Sequence, residues 1–293
     1  MPEHLFESRS LRPHAFSYLP SANWSPQRLA DVAIDALIDE ALLTPKPALV
    51  DRRGAGAHSD LDLNKLVCSA RALRETFLRM ALYSTGRLPD CSLRAQLALL
   101  GREGEVDMLA ATGGSNAHRG AIWALGLLVA ASAIGGSEMR PPELANLAGR
   151  IAAFPDRNAS GRDSNGIRAG RLYGVTGAKG EAVAGFPHVI AIGLPALWKA
   201  RANGGTETCA RLDALMAIMA SLDDTCLLHR GGLPALVTAK LGARTVLALG
   251  GSSTAEGRRA LLAVDFKLRR LNASPGGCAD LLAACLYIDG LYR

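Results

Sequence analysis

Five polar segments of this 293-residue chain place glycines beside carboxylate, imidazole or basic side chains. The most informative of them is Leu271–Ala284, where Ser274 and Pro275 have the residue types of an N-cap and a first helical position. Gly276 and Gly277 follow, although glycine costs about 1 kcal/mol against alanine inside a helix. Bare glycines would let a phosphate approach the first-turn amides. The alternative is a capped helix that packs closely against a neighbour.

A pair of carboxylates ends the segment Pro47–Asp62. If this segment is extended, Asp60 and Asp62 point to the same side. Two carboxylates beside phosphate oxygens are the usual protein share of a Mg²⁺ site. The alternative is that Asp62 caps a helix beginning at Leu63 and that Asp60 is solvated.

The segment Thr112–Gly120 precedes a long apolar stretch. It predicts a helix with Ser115 or Asn116 as its cap and with His118 and Arg119 in its first turn. A histidine there could move a proton near neutral pH, and an arginine could grip a phosphate with two hydrogen bonds. The alternative is an ordinary cap with a surface arginine and a partly buried histidine.

Two further segments repeat this combination of residue types. Gly166–Pro187 has basic residues among five glycines up to Gly180 and predicts a phosphate-gripping loop, with Glu181 at the start of the next helix. Asp223–Gly232 joins two aspartates to a histidine and an arginine. None of these spacings matches a zinc site, a Walker loop or a nucleophile elbow. Together the segments favour a site for a polyphosphate and a metal ion.

The composition predicts the architecture that positions these segments. Hydrophobic residues make up 49% of the chain and aromatic residues only 5%, so alanine and leucine dominate a core that favours helix over sheet. No alternating strand pattern longer than a few residues occurs. The fold class is therefore all-α, as a single compact multi-helix catalytic domain over residues 25–293 after an irregular arm over residues 1–24. Helical spacing predicts helices over residues 26–43, 62–83, 92–111, 117–134, 141–153, 181–200, 207–222, 228–249, 255–271 and 276–291.

The charge distribution, the cysteine spacing and the first residues argue against a nucleic-acid-binding protein, a secreted protein and a membrane protein. The net charge of +6 is spread along the chain, which favours a small anionic ligand over nucleic acid. The six cysteines form no CxxC pair and indicate free thiols of a cytoplasmic protein. The first residues lack the pattern of a signal peptide. Residues 120–137 carry no charge but include several glycines, which favours a buried core helix over a membrane span.

The segments and their order resemble one family, the triphosphoribosyl-dephospho-CoA synthases of citrate lyase and malonate decarboxylase gene clusters. Three residues depart from the family pattern: Ala117 stands in place of threonine, Arg119 in place of lysine and Cys278 in place of a small residue such as serine. The alanine- and arginine-rich composition is more similar to the malonate decarboxylase branch. The resemblance is carried by Pro45-Lys-Pro, Leu49-Val-Asp-Arg, Gly56-Ala-His-Ser-Asp-Leu-Asp, Asn116-Ala-His-Arg-Gly, Gly177-Ala-Lys-Gly-Glu, Gly185-Phe-Pro, Asp224-Thr, His229-Arg-Gly-Gly and Ser274-Pro-Gly-Gly-Cys-Ala-Asp-Leu-Leu-Ala.

The resemblance implies a particular reaction. The 2′-hydroxyl of 3′-dephospho-CoA attacks C1 of the ATP ribose, adenine leaves, and the triphosphate stays attached. The product is the prosthetic-group precursor of an acyl-carrier subunit, to which a separate transferase delivers it. Such a substitution needs a base for the hydroxyl, a proton donor for adenine, and Mg²⁺ with basic side chains to hold the triphosphate.

The resemblance also implies roles for individual residues. His118 or Glu181 would transfer the proton, and Asp51 and Asp280 are further catalytic candidates. The candidate Mg²⁺ ligands are Asp60, Asp62 and Asp224. The candidate substrate-binding residues are Arg52, His58, Asn116, Arg119, Arg168, Arg171, Lys179, His229, Arg230, Ser274, Gly276 and Gly277.

Two other functions fit the same residues. One is a Mg²⁺-dependent hydrolase that cleaves ADP-ribose-type N-glycosides with water. The other is a non-catalytic module that binds a nucleotide or CoA. No nucleic-acid or membrane partner is expected, and the sequence leaves open whether the chain forms a homo-oligomer.

Overall fold

Every regular element in the computed structural model, which describes residues 24–156 and 163–293, is a helix. The all-α prediction is confirmed. The α-helices are α1 (Pro26–Leu42), α2 (Leu63–Ala72), α3 (Arg74–Ser84), α4 (Cys91–Thr112), α5 (Arg119–Gly135), α6 (Pro141–Ala153), α7 (Asn165–Tyr173), α8 (Gly177–Val183), α9 (Leu194–Ala202), α10 (Glu207–Met219), α11 (Thr225–Ala248), α12 (Ala255–Arg270) and α13 (Gly276–Leu291). A π-helical turn, His188–Gly193, joins α8 to α9.

One main hydrophobic core runs through the described residues, with α5 at its centre. Nearly every side chain of α5 from Ala121 to Ser132 is buried, because α3, α6 and α13 surround it. The uncharged stretch is thus a core helix, as predicted. Among the described residues no single helix is long and apolar enough to cross a membrane, and only the bent pair Gly177–Val183 with His188–Ala202 meets that test by length and composition.

Two helix predictions and one loop prediction were wrong in detail. The predicted helix 62–83 is two helices: Leu73, at φ −82°, ψ −5°, stays in the right-handed helical region, but its amide bonds the Ala70 carbonyl at 3.1 Å and interrupts the i→i−4 hydrogen bonds. The predicted loop 166–187 contains α7 and α8, and the predicted helix 181–200 is divided by the π-helical turn. Ser164 caps α7 and Gly174 ends it in the left-handed region at φ +70°. Here glycine serves as a helix end rather than as a sign of a long loop.

The predicted arm over residues 1–24 lies outside the described residues except for Trp24. The Trp24 ring packs edge-to-face on Tyr292, just after the end of α13, at 5.3 Å between ring centroids. Residues 157–162 of the predicted junction 154–180 also lie outside the described residues.

Candidate active site

The starts of three helices meet at one place in the fold. A Cβ added to Gly120 at the start of α5 would overlap the carboxyl group of Asp280 in α13, and that carboxyl accepts a hydrogen bond from the Ala121 amide. At the start of α11, Oδ2 of Asp224 accepts from the Cys278 amide of α13 at 2.9 Å. The segments around residues 118, 224 and 278, far apart in sequence, are therefore neighbours.

The starts of α7 and α8 join the same region. A Cβ on Gly166 would lie 3.4 Å from Thr225 Oγ1, and one on Gly177 would lie 3.2 Å from Thr225 Cγ2. The indole N–H of Trp123, in the first turns of α5, donates to the Ala178 carbonyl at 3.2 Å. The structure thus brings together the polar segments that the sequence separates.

Asp224 holds two helix starts at once. Its Oδ1 accepts from the amides of Cys226 at 2.7 Å and Leu227 at 3.3 Å, and its Oδ2 accepts from Cys278. Burial raises the pKa of this carboxyl, against the opposing effect of the amide hydrogen bonds. With both oxygens committed to backbone amides, Asp224 does not fit the predicted role of a Mg²⁺ ligand.

The glycines at the start of α13 are explained by this contact. A Cβ on Gly277 would lie 3.1 Å from the Asp224 carboxyl, and one on Gly276 would lie 3.1 Å from Cys226 Sγ. Contacts this short require their neighbours to move, so the glycines make room for α11. The close-packing alternative accounts for them, and the contacts give no support to the expectation that they are bare for a phosphate.

Ser274 does not cap α13, so that prediction was wrong. Pro275 occupies the N-cap position without a side-chain hydrogen bond, because Asp224 supplies the cap from another helix. The Ser274 hydroxyl instead pairs with His58 Nε2 at 2.8 Å. Arg230 contacts His58 Nδ1 at 3.3 Å, hydrogen-bonds the Ala57 carbonyl, and donates to the Asn272 carbonyl at 2.9 Å. These contacts tie the loop before α2 to α11 and α13.

His118 is buried at the start of α5, with one ring nitrogen held and the other free. Its Nδ1 pairs with Ser69 Oγ of α2 at 2.7 Å, while Nε2 has no hydrogen-bond partner among the described residues. Burial, with a smaller effect from the charge of Lys46, lowers the pKa of His118 to about 4. The imidazole is therefore neutral at pH 7, and Nε2 is a polar atom that a ligand would satisfy.

Lys46 itself is buried and is balanced by a carboxylate. Its Nζ contacts Glu40 Oε1 and the Glu40 carbonyl, at 2.5 and 2.7 Å. A buried charge pair of this kind is costly to break, since removing one partner leaves the other unpaired. The sequence did not predict the pairing of Glu40 with Lys46, because it indicated Lys46 only as part of the motif Pro45-Lys-Pro.

The pKa of Asp280 is shifted in the opposite direction to that of His118. Burial, followed by the charges of Asp224 and Glu40, raises the pKa of the Asp280 carboxyl well above its ordinary range. Two groups with opposite shifts therefore lie near the start of α5. One is the neutral imidazole of His118, and the other is the Asp280 carboxyl group, which contacts Gly120 and keeps its proton to higher pH. Opposite shifts in neighbouring titratable groups are typical of acid–base sites.

Glu181 forms a pair with a histidine that sequence reasoning missed. Its Oε2 lies 2.7 Å from His188 Nδ1, and its Oε1 accepts from the His188 amide at 2.8 Å. The carboxylate is buried, whereas the His188 side chain is 21% exposed. Seven positions do not bring two side chains together in this way in an unbroken helix. The pair forms because Phe186, at φ +55°, turns the chain into the π-helical turn that begins at His188.

The other metal candidates lie on the surface side of the loop before α2. Asp62 caps α2 by accepting from the Lys65 amide at 2.8 Å, which confirms the capping alternative. The Asp60 side chain is 56% exposed and lies 3.7 Å from His58 Nδ1. No group of three histidine, cysteine, aspartate or glutamate side chains among the described residues could hold a metal ion. Asp60 and Asp62 are left as carboxylates that could share a cation with phosphate oxygens.

Asp51 and Arg52 lie apart from the convergence of helix starts. The buried Asp51 carboxylate accepts from the amides of Lys46 at 2.8 Å and Arg53 at 2.7 Å, and also pairs with the Arg53 guanidinium. These contacts indicate that Asp51 stabilises the conformation of the loop in which it lies. Arg52 lines a separate cavity of about 350 Å³ with Glu207 and Arg211.

The remaining predicted substrate-binding residues are exposed on α7, α8 and α11 and at the start of α5. The predicted cap of α5 at Ser115 or Asn116 was wrong, because His118 occupies the N-cap position without a side-chain hydrogen bond. Asn116 Oδ1 still accepts from the Arg119 amide at 3.2 Å, and the Arg119 side chain pairs with Glu105 at 2.8 Å. Basic side chains with this exposure can reach a phosphate without losing much hydration. The others are Arg168, which bonds Asn165, Arg171, which bonds Asp163, and the exposed Lys179 and His229.

The described residues form an all-α fold, and the family that the chain matches is one of transferases. The chain belongs to the ATP:dephospho-CoA triphosphoribosyl transferase family, whose model matches residues 26–293. No solved structure matches the chain.

Curated relatives carry one name, "Probable 2-(5''-triphosphoribosyl)-3'-dephosphocoenzyme-A synthase". The chain is 56% identical over 265 residues to that of Pseudomonas paraeruginosa, covering 90% of each chain. It is 53% identical over 280 residues to that of Pseudomonas syringae pv. syringae, covering 93% of this chain and 96% of the relative. It is 54% identical over 268 residues to that of Azotobacter vinelandii, covering 90% and 91%.

Proposed function

We propose that this protein transfers the 5-triphosphoribosyl group of ATP to the 2′-hydroxyl of 3′-dephospho-CoA and releases adenine. Family membership over residues 26–293 gives the reaction class. Within the structure, the proposal is supported by the unpartnered Nε2 of His118, which lies at the start of α5, two residues before the contact of Gly120 with Asp280 of α13. A buried polar atom of this kind is a contact point for a substrate.

The substitution needs two proton transfers, and the site offers two distinct groups. The Glu181–His188 pair has the arrangement of a general base, since the carboxylate holds Nδ1 and the partly exposed imidazole can receive the proton of the 2′-hydroxyl. Asp280, whose pKa is raised, is the proton donor for the leaving adenine. His118 stays neutral and orients the substrate through Nε2. Acid and base groups each contribute about 10²–10⁴-fold to such a reaction.

The phosphates of both substrates need positive charge and, for ATP, Mg²⁺. The exposed Arg168, Lys179 and His229 surround the helix starts and are suited to this role. Mg²⁺ bound to the triphosphate would neutralise part of its charge, and Asp60 and Asp62 are the carboxylates that would hold it. We leave Asp224 out of this set because its carboxyl group already accepts from the amides of Cys226, Leu227 and Cys278.

The proposal also includes the use of the product. The product would pass, in the cytoplasm, to a transferase that attaches it to an acyl-carrier subunit. The malonate decarboxylase branch is proposed because the composition is rich in alanine and arginine. Addition of the product to the carrier subunit of malonate decarboxylase, and not to that of citrate lyase, would support this assignment.

Adenine release measured by liquid chromatography separates the three candidate functions. The proposed transferase releases adenine from ATP only when dephospho-CoA is present, and EDTA abolishes the release. A hydrolase would release adenine without dephospho-CoA, and a binding module would release none. Asp280→Asn should lower the rate at least 100-fold while a change at the distant exposed pair, Arg74→Gln, leaves it unchanged.

A further inference from the structure

A groove between α4 and α5 lies beside the candidate active site. Its volume is about 160 Å³. Cavities near 150 Å³ hold a molecule the size of benzene, so one phosphoryl group fits with room for a few water molecules. Much of the lining is apolar, with Leu97, Ile122 and Leu127 among it, and five charged side chains also line the groove: Arg94, Arg102, Glu105, Arg119 and Asp156.

A buried arginine without a full set of partners lines this groove. Arg94 is 8% exposed, and its Nε has no hydrogen-bond partner among the described residues. The guanidinium lies over the Trp123 ring, 4.9 Å from the centroid. Burial lowers the pKa of Arg94, which shows that its charge is poorly compensated where it stands. A buried N–H of a charged group without an acceptor is an unusual feature that a ligand atom would satisfy.

The charge balance of the groove favours an anion. Arg102 pairs with Asp156 at 2.8 Å, and Arg119 pairs with Glu105 at 2.8 Å. Asp156 also attracts Arg94, but the groove still has three arginines against two carboxylates. Arginine is the residue type best suited to phosphate, because its planar fork can donate two parallel hydrogen bonds.

The position of the groove connects it to the reaction. Arg119 and Trp123 line it, and both belong to the first two turns of the helix that starts next to His118. The Trp123 indole also contacts α8, on which Glu181 lies. A substrate that contacts His118 can therefore reach the groove along α5.

We propose that this groove binds a phosphoryl group of one substrate, with Arg94 as its buried anchor. The inference rests on the proposed function, because both of its substrates carry phosphates. The triphosphate of ATP and the diphosphate of dephospho-CoA present the same chemistry to an arginine. Separate titrations of the two substrates distinguish these sources.

The test is isothermal titration of ATP, and separately of dephospho-CoA, into the wild-type protein and its variants. Arg94→Met should weaken the binding of one of the two substrates about 10- to 100-fold and leave the other within about twofold, as expected for a lost charged hydrogen bond. Arg94→Lys should recover part of the loss. The matched control is Arg79→Met, at an exposed arginine of α3 paired with Glu103, which should change neither affinity.

A second variant keeps the test decisive if Arg94→Met fails to fold. Ala98→Leu narrows the groove without changing Arg94 and should weaken the same substrate. Unchanged affinities for both substrates in Arg94→Lys and Ala98→Leu, in a preparation whose wild type releases adenine, would overturn the groove assignment. Wild-type protein that releases no adenine in the presence of both substrates would instead contradict the proposed function.

Discussion

Acidification should destabilise this protein through one buried histidine. His118 has a pKa of about 4 in the folded chain, against an ordinary value of 6.5 that applies when the chain is unfolded. Between these pH values the unfolded chain binds a proton at this residue and the folded chain does not. Stability from the neutral imidazole is therefore fully present above pH 6.5, falls as the pH falls, and is lost below about pH 4.

The size of the effect follows from the two pKa values. Their separation corresponds to about 3 kcal/mol in the free energy of unfolding, of which most is lost by about pH 4.5. His118 is only 4% exposed, so solvent screening reduces this figure little. The loss is a large share of the 5–15 kcal/mol, roughly, that stabilises an ordinary domain.

Urea unfolding of the wild type and of His118→Gln at several pH values measures this contribution. Other groups titrate in both proteins, so the difference between the two free energies isolates His118. That difference should shift by about 2–3 kcal/mol between about pH 7.5 and pH 4.5. A flat difference would refute a buried, neutral imidazole.

Three further variants test the geometry of the site. Gly120→Ala should lower adenine release at least 100-fold in a chromatographic assay, because its Cβ would displace Asp280; a wild-type rate would contradict the contact. Asp224→Ala should cost about 1–4 kcal/mol in urea unfolding, because two helix starts each lose a cap worth about 0.5–2 kcal/mol, and a cost below about 0.5 kcal/mol would refute that role. Glu181→Gln and His188→Asn should slow turnover similarly, and the double variant should be no slower than either single one; additive losses would show that the residues act separately.

Helix periodicity and composition predicted most of the fold. Alanine and leucine at helical spacing determine where the long helices lie, and the uncharged stretch before residue 137 was correctly assigned to the core. Glycine misled the prediction over residues 166–187. There Gly174 ends a helix in the left-handed region, and Gly166 allows α7 to approach Thr225. Local sequence does not distinguish a glycine that ends a helix from one in a long loop.

The candidate site, like the fold, could be predicted from the sequence only in part. Residue types and order predicted the polar segments, and the starts of α5, α8, α11 and α13 bring four of them together. The individual roles depend on contacts across the fold. Gly277 faces Asp224 of another helix, and His188 reaches Glu181 only through the π-helical turn. Tertiary contacts of this kind leave no spacing signal in the chain.

The proposed reaction is tested most directly by mass spectrometry of the product formed from ATP and dephospho-CoA. One product should appear, with the mass of dephospho-CoA plus one triphosphoribosyl group, and one adenine should form for each molecule of it. Free ribose triphosphate, or adenine formed without dephospho-CoA, would contradict the transferase and favour a hydrolase.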